Sequence, residues 1–350
     1  MNIDSFLIDS NASARDALRH LDKMAMAGPV LFIQDEEKKL VGSLTDGDIR
    51  RGLLRNLGID DSVLLFMRKD FRHFVENHYS KADLQRNKEL NIRFVPVIDS
   101  KGFLIRLVDT FQVRGNIPAC AILMAGGRGE RLMPLTELTP KPMLRVGQKP
   151  IIEYNIDQLI SYGITDITIS IRYLGNQISD YFKNGSHKNA SIQYLTEDIP
   201  LGTIGAVKQI KDIHQDYVLI MNSDLLTDID FEQFFEAFQA ENADMAVATV
   251  PYHVNVPYAV MELEEGKIVK NFKEKPKYTY YSNAGIYLLK KELIDMIPHN
   301  QKYDATDLMN AVIKAGKKLI ADPILTYWLD IGRIEDFYKA QEDIKHLKFL

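Results

Sequence analysis

Cysteine is almost missing from this chain. Among 350 residues there is only Cys120, which excludes an internal disulfide framework and any Cys-cluster zinc site. Cys120 lies in an apolar run, where a buried structural thiol is expected rather than a nucleophile. No apolar stretch is long enough to span a bilayer. The N-terminal MNIDSFLIDSNASARD lacks the basic-then-apolar layout of a signal peptide, so a cytoplasmic location away from membranes is expected. Excess basic charge is missing too. With 43 Lys+Arg against 48 Asp+Glu the formal net charge is −5, and a nucleic-acid partner is not expected. What remains is ordinary for a globular protein, with 46% hydrophobic and 26% charged residues, in a chain long enough for two domains.

Gly115, Asn116 and Pro118 punctuate the chain and place a boundary there. The expected domains are residues 1–115 and 118–350. In the first, one pattern occurs twice. A helix over Ser13 to Met26 leads to a strand over Pro29 to Ile33, a turn from Asp35 to Lys39 and a strand over Leu40 to Leu44, which runs into Thr45-Asp46-Gly47-Asp48. The second copy has a helix over Lys81 to Leu90, a strand over Phe94 to Ile98 and another over Phe103 to Val108. The repetition suggests two similar units packed as a pair. In the second domain, short apolar strands (Cys120 to Met124, Ile167 to Ile171, Ser191 to Leu195, Tyr217 to Met221) alternate with helices over Ile151 to Tyr162, Gly202 to Ile210 and Phe231 to Ala240. That alternation predicts an α/β fold with a doubly wound, mostly parallel, Rossmann-like sheet, its ligand crevice beyond the carboxyl ends of the strands. The smaller domain ahead of it reads as α+β.

The first of these strands delivers the chain into Ala125-Gly126-Gly127-Arg128-Gly129-Glu130-Arg131. Glycines let backbone N–H groups approach phosphate oxygens, although a Gly-rich turn is as often a plain tight turn. It is neither a Walker A loop nor a dinucleotide fingerprint. The continuation through Pro134-Leu135-Thr136 and Thr139-Pro140-Lys141-Pro142 adds Lys141 to Arg131, and two cations beside backbone donors suit a triphosphate.

The string LMAGGRGERLMPLTELTPKPML resembles the signature of sugar-1-phosphate nucleotidyltransferases. Pro200-Leu201-Gly202-Thr203, Asn222-Ser223-Asp224, Glu274-Lys275-Pro276, Asn283-Ala284-Gly285-Ile286-Tyr287 and Trp328-Leu329-Asp330-Ile331-Gly332 are similar to the family's later blocks, in its order. The last of them looks most like the mannose-1-phosphate guanylyltransferase branch. The resemblance implies attack by a sugar-phosphate oxygen on the α-phosphorus of a nucleoside triphosphate, with pyrophosphate leaving. A phosphate monoester is already ionised at neutral pH, so no general base is needed, in keeping with the absence of a His or Cys constellation. Catalysis is then positioning and charge neutralisation. By resemblance, Ala125, Gly126, Gly127, Gly129, Arg131, Gly202 and Thr203 bind the nucleotide, and Arg131, Lys141 and Lys275 act on the phosphates. Glu274, Lys275, Asn283 and Gly285 hold the sugar phosphate, while Asp224 and Asp330 hold one Mg²⁺. Asp228 and Asp230 are acidic neighbours expected to cap the helix at Phe231.

Two departures stand out. Tyr258-Ala259-Val260 has Ala where the family commonly has Gly. Glu130 replaces the usual Thr, and beside a triphosphate it must point away or meet Arg128 or metal. Glu197 stands where uridylyl and thymidylyl relatives usually carry Gln. A carboxylate accepts guanine's adjacent N1–H and N2–H₂ donors together, whereas a uracil edge suits an amide, so Glu197 favours GTP unless it is merely an exposed loop residue.

Val41-Gly42-Ser43-Leu44-Thr45-Asp46-Gly47-Asp48-Ile49-Arg50-Arg51 resembles a CBS motif, and the duplicated pattern fits a CBS pair. The resemblance implies that Thr45 and Asp48 grip the ribose of an adenine nucleotide, although the same residues would also make a strand-to-helix cap. Laying the second copy on the first sets Val108 against Thr45 and Phe111 against Asp48, so at most one nucleotide per pair is expected; the module otherwise dimerises the enzyme, and a homo-oligomer is expected. A CBS pair ahead of such a domain resembles the guanylyltransferases of legionaminic acid synthesis, which act on glucosamine 1-phosphate. The alternatives are uridylyl, thymidylyl or cytidylyl transfer, or an inactive subunit that senses nucleotide sugars.

Overall fold

The computed structural model describes residues 3–24, 30–76 and 78–347. Residues 25 and 26 of the first expected helix and residue 29 of the strand after it lie outside them. The chain divides into two compact units. One runs to Pro118 and includes Ile160–Gly163 and Gly185–Ser191; the other holds Ala119–Leu159, Ile164–Asn184 and the chain from Ile192 onward.

The N-terminal unit is built from two copies of one motif. The first has β1 (Leu7–Asp9), α1 (Ala14–Lys23), β2 (Val30–Gln34), β3 (Leu40–Thr45) and α2 (Asp46–Leu53); the second has β4 (Phe74–Val75), α3 (Lys81–Glu89), β5 (Phe94–Ile98) and β6 (Leu104–Asp109). Ser13 and Ser80 open α1 and α3 with the same capping box, Ser-x-x-Asp. Each copy makes a three-stranded sheet in which a short strand runs parallel to the first arm of an antiparallel hairpin. Val30 pairs with Thr45 and Phe94 with Asp109, with a register shift at the same place in both hairpins, so the copies superpose at an offset of 64 residues. This corrects the expected alignment by one residue. Asp109 stands at the place of Thr45, and Gln112 at that of Asp48. The turns set the offset: Asp35 accepts the N–H of Lys39, and Asp99 that of Phe103.

The larger unit carries a seven-stranded sheet. Its elements are β7 (Ala119–Ala125), the short hairpin β8 (Arg145–Val146) and β9 (Lys149–Pro150), α4 (Ile151–Ser161), β10 (Asp166–Ile171), α5 (Asn176–Phe182), β11 (Ser191–Thr196), β12 (Tyr217–Asn222), β13 (Leu225–Thr227), α6 (Phe231–Ala240), β14 (Met245–Asn255), β15 (Val260–Leu263), β16 (Val269–Lys273), β17 (Lys277–Lys290), α7 (Ala305–Lys314), β18 (Leu319–Pro323), β19 (Trp328–Asp330) and α8 (Ile334–Asp343). The sheet order is β11-β10-β7-β12-β17-β14-β18. β7 pairs in parallel with β10 and β12, and its residues are nearly all buried, as expected of a central strand covered on both faces. β17 runs antiparallel to both β12 and β14. It returns from β14 through the β15–β16 hairpin, which forces the reversal. The outer halves of β14 and β17 project with β15 and β16 as an exposed arm.

Phe231, Phe234, Phe235 and Phe238 give α6 one buried face at helical spacing. Asp230 caps it through the N–H groups of Glu232 and Gln233, whereas the Asp228 N–H is held by the Tyr327 carbonyl. The expected helix over Gly202 to Ile210 shortens to a 3-10 turn, Gly205–Gln209, because Thr203 is tied sideways to Asp304 through its N–H and Oγ. Cys120 is buried, and that burial pushes its thiol up to about 12, so it is inert. Among the described residues no helix is long and apolar enough to cross a membrane.

Candidate active site

The carboxyl ends of β7, β10 and β12, with the chain leaving β11, open onto a crevice of about 320 Å³ lined by Gly126, Gly127, Lys141, Arg172, Glu197, Leu201, Gly202, Thr203, Asn222, Asp224 and Asp304. The sheet order lays these residues out in sequence: Glu197 beyond β11, Arg172 beyond β10, the glycines beyond β7, Asn222 and Asp224 at β12, and Asn283 and Gly285 on β17.

The Gly-rich turn is folded tightly against its surroundings. A Cβ on Gly126 would stand 2.6 Å from Glu197 Oε1, so a larger residue there would have to displace the carboxylate that lies against the backbone. The Thr136 hydroxyl donates to the Gly129 carbonyl at 2.9 Å and closes the loop. Ala125 ends β7 and is buried. Glu130 is exposed, with Oε1 3.8 Å from the Arg128 guanidinium, and it is not among the residues that line the crevice.

The two distant aspartates meet through a short ladder. β13 pairs antiparallel with β19, Leu225 opposite Asp330, and the Ile331 N–H donates to the Asp224 carbonyl. Asp224 and Asp330 therefore leave adjacent strand ends. Lys141 donates to Asp224 Oδ2, and its Nζ lies 3.8 Å from Asp330 Oδ1. Burial, and then the charge of Asp224, push the Asp330 carboxyl above its ordinary value; Lys141 and Arg131 oppose the rise. The Oδ1 atom of each aspartate is buried and makes no hydrogen bond. Two such hard oxygens suit a divalent cation. Among the described residues no three His, Cys, Asp or Glu side chains cluster to hold a metal.

Glu197 is only 6% exposed, not a loop-surface carboxylate. It accepts from Ser170 Oγ at 2.6 Å and from the Leu201 N–H at 3.4 Å. On the β17 side, Gly285 has φ +74°, and a Cβ there would stand 2.5 Å from Asn222 Nδ2. Asn283 Oδ1 accepts the Gly285 N–H, and Trp328 Nε1 donates to the Ala284 carbonyl at 3.0 Å. Glu274 and Lys275 are exposed on the arm and do not line the crevice; the structure does not bring them to the aspartates. Tyr258, in the block that departs from the family pattern, is exposed on the same arm. Sequence reasoning missed Asp304, Ser170 and Arg172, and named Asn222 only as part of a block, with no role. The signal for Asp304 was present, since Asp304-x-x-Asp307 opens α7 as a capping box.

In the N-terminal unit, Thr45 and Asp48 line a cavity of about 570 Å³ together with Arg68, Arg93 and Phe94. They also form a complete capping box at the start of α2. Asp48 accepts from Thr45, Arg51 and Arg68. Burial pushes its carboxyl up, but these hydrogen bonds outweigh it and hold the group below its ordinary value. In the second copy, Asp109 is paired with Arg93 instead.

A family model described as nucleotidyl transferase matches residues 120–346, and one described as CBS domain matches residues 1–55. A UTP–glucose-1-phosphate uridylyltransferase of Synechocystis sp. is 29% identical over 239 residues, 63% of this chain; the chain spans only 62% of that relative's length. A D-glycero-α-D-manno-heptose 1-phosphate guanylyltransferase of Aneurinibacillus thermoaerophilus is 30% identical over 65% of this chain and 98% of its own. Among solved structures, HddC from Yersinia pseudotuberculosis complexed with GMP-PN is similar at 27% identity and a TM-score of 0.50, covering 65% of this chain and all of that one.

Proposed function

The chain belongs to the nucleotidyl transferase family, and we propose that it transfers a guanylyl group from GTP to a hexose or amino-hexose 1-phosphate, giving a GDP-sugar and pyrophosphate. In this reading residues 118–350 are the catalytic domain. The observation that carries it is the order of groups across the strand ends: a buried carboxylate at Glu197, glycine backbone at Gly126, then the Lys141, Asp224 and Asp330 cluster. A nucleotide laid across them sets its base at Glu197, its phosphates over Gly126, Gly127 and Gly129 with Arg131 and Lys141 as counter-charges, and its α-phosphorus near the aspartates. Gly202 and Thr203 hold the nucleoside side. The sugar phosphate enters from β17, where Asn283 and Gly285 lie; in this reading Glu274 and Lys275, which the structure holds exposed on the arm and outside the crevice, would contact it only once it is bound.

The sugar-phosphate oxygen forms the new bond to the α-phosphorus as the bond to pyrophosphate breaks. The nucleophile carries its charge already, so the residues position and neutralise rather than abstract a proton. Asp224 and Asp330 would hold Mg²⁺, which when bound supplies charge neutralisation for the phosphates. The CBS domain ahead of this architecture supports glucosamine 1-phosphate as acceptor.

A pyrophosphate-release screen of four triphosphates against a panel of sugar 1-phosphates with Mg²⁺ tests the reading. GTP is expected to lead, and Glu197→Gln to move preference toward pyrimidine nucleotides. Equal use of all four triphosphates by the unmodified enzyme would sink the base assignment. Pyrophosphate from no pairing would favour an inactive sensing subunit instead.

The N-terminal cavity supports a second reading for residues 1–115, a regulatory or dimerising module that takes one adenine nucleotide per pair, with Thr45 and Asp48 on the ribose. Asp48 must then trade Arg51 or Arg68 for ribose hydroxyls. ATP, ADP or AMP is expected to raise the Tm, and Asp48→Ala to abolish that rise; an unchanged Tm with all three removes the effector and leaves dimerisation.

A further inference from the structure

We infer that Arg172 is a second base-reading residue and that it donates to the O6 and N7 acceptors of guanine while Glu197 takes the N1–H and N2–H₂ donors. This rests on the assignment of Glu197 to the base given above. Arg172 follows β10, the strand between those that deliver Glu197 and Gly126. Both side chains converge on one glycine: a Cβ at Gly126 would stand 2.6 Å from Glu197 Oε1 and 3.5 Å from Arg172 Cβ. Arg172 Nε donates to the Gly126 carbonyl at 3.2 Å, which anchors the guanidinium at the crevice wall. Among the described residues Arg172 makes no ion pair, with Glu197 or with any other carboxylate, although both line the same crevice.

A half-buried guanidinium and a buried carboxylate sharing one small crevice attract each other strongly. Here each is tethered elsewhere, Arg172 to Gly126 and Glu197 to Ser170 and Leu201. The pair thus offers a tethered acceptor and a tethered donor fork on the wall of one crevice. Guanine has the complementary edge: two donors, then O6, then N7. Arginine matches O6 and N7 with two parallel hydrogen bonds. Adenine carries an amino donor where guanine has O6, so it would meet the guanidinium donor to donor. Arg172 thereby supplies discrimination against adenine that one carboxylate provides only in part.

Steady-state kcat/KM is measured for the full chain and its Arg172→Ala and Arg172→Lys variants with GTP, 7-deaza-GTP, ITP, ATP and UTP. ITP lacks the 2-amino group but keeps O6 and N7; 7-deaza-GTP lacks N7. The unmodified enzyme is expected to prefer GTP to 7-deaza-GTP by about tenfold. Arg172→Ala should erase that preference and narrow the GTP/ATP ratio by about 10–100-fold. The GTP/ITP ratio, which reports Glu197, should stay. Arg172→Lys keeps the charge but not the fork, so it should retain part of the GTP/ATP ratio and lose the N7 effect. An equal fall with all five nucleotides would assign Arg172 to phosphate and overturn the inference, as would unchanged ratios. If the unmodified enzyme shows no preference for GTP over UTP, the Glu197 assignment falls first and takes this one with it; GTP/ATP and GTP/7-deaza-GTP ratios left intact in Arg172→Ala remove Arg172 alone.

Discussion

Asp224→Asn is expected to lower kcat by about 10³-fold, with the loss partly recovered at high Mn²⁺. Asparagine keeps the size of the side chain and one acceptor oxygen, so the β13–β19 ladder and the backbone bond from Ile331 to Asp224 stay in place. What disappears is one negative charge beside Asp330. Two unit charges about 4 Å apart at an effective dielectric constant near 20 interact by about 4 kcal/mol, or about three orders of magnitude. A divalent ion loses at least that attraction, and with it the neutralisation of the triphosphate. Lys141 also loses its charged partner and would drift toward Asp330. The measurement is single-turnover formation of the sugar nucleotide across a Mn²⁺ series, with thermal unfolding as a control for folding. A loss below about fivefold would remove Asp224 from the metal-binding role.

Much of this site could be read in the sequence because buried strands end in polar residues. Runs such as Cys120 to Met124 and Tyr217 to Met221 are apolar on both faces, so the residue types that follow them must sit at the sheet's carboxyl edge. Gly126 and Asp224, which follow such runs, line the crevice; Glu197 follows a half-exposed strand and was singled out by its position in the family pattern instead. The meeting of Asp224 with Asp330 depends on a three-residue antiparallel ladder between segments far apart in the chain, and no local pattern announces it. Arg172 was passed over because a lone arginine after a strand has no signature; only the anchor to Gly126 singles it out. In the N-terminal unit the repeat was legible but its register was not. The strands that carry it are near-continuous apolar runs, Val30 to Ile33 and Phe94 to Ile98, with no alternation to fix which residue of one answers which of the other. The observed ladders replace Val108 and Phe111 with Asp109 and Gln112.

Lys141→Met should move two properties in opposite directions. In the protein as described, the Lys141 ammonium bonds Asp224 and lies within 4 Å of Asp330, in the position where a cation would neutralise the pair. Its side chain is only 12% exposed, so solvent screens these contacts weakly. A divalent ion arriving without nucleotide must displace this internal cation before it gains both carboxylates. Methionine preserves length and packing and removes the competitor. Mn²⁺ binding to the nucleotide-free variant, followed by electron paramagnetic resonance of the free ion, is therefore expected to tighten by about 10–100-fold. Turnover should fall by about 10²–10³-fold, because the triphosphate loses the cation that would meet it when Lys141 leaves the aspartates. Nucleotide and metal would then bind cooperatively in the unmodified enzyme, since phosphate draws Lys141 away and opens the carboxylates, and by linkage the metal must favour the nucleotide equally. The variant should show most of that cooperativity gone. If Mn²⁺ instead binds the nucleotide-free variant more weakly than the unmodified chain, Lys141 supports the metal rather than standing in for it, and the linkage through Lys141 fails with it.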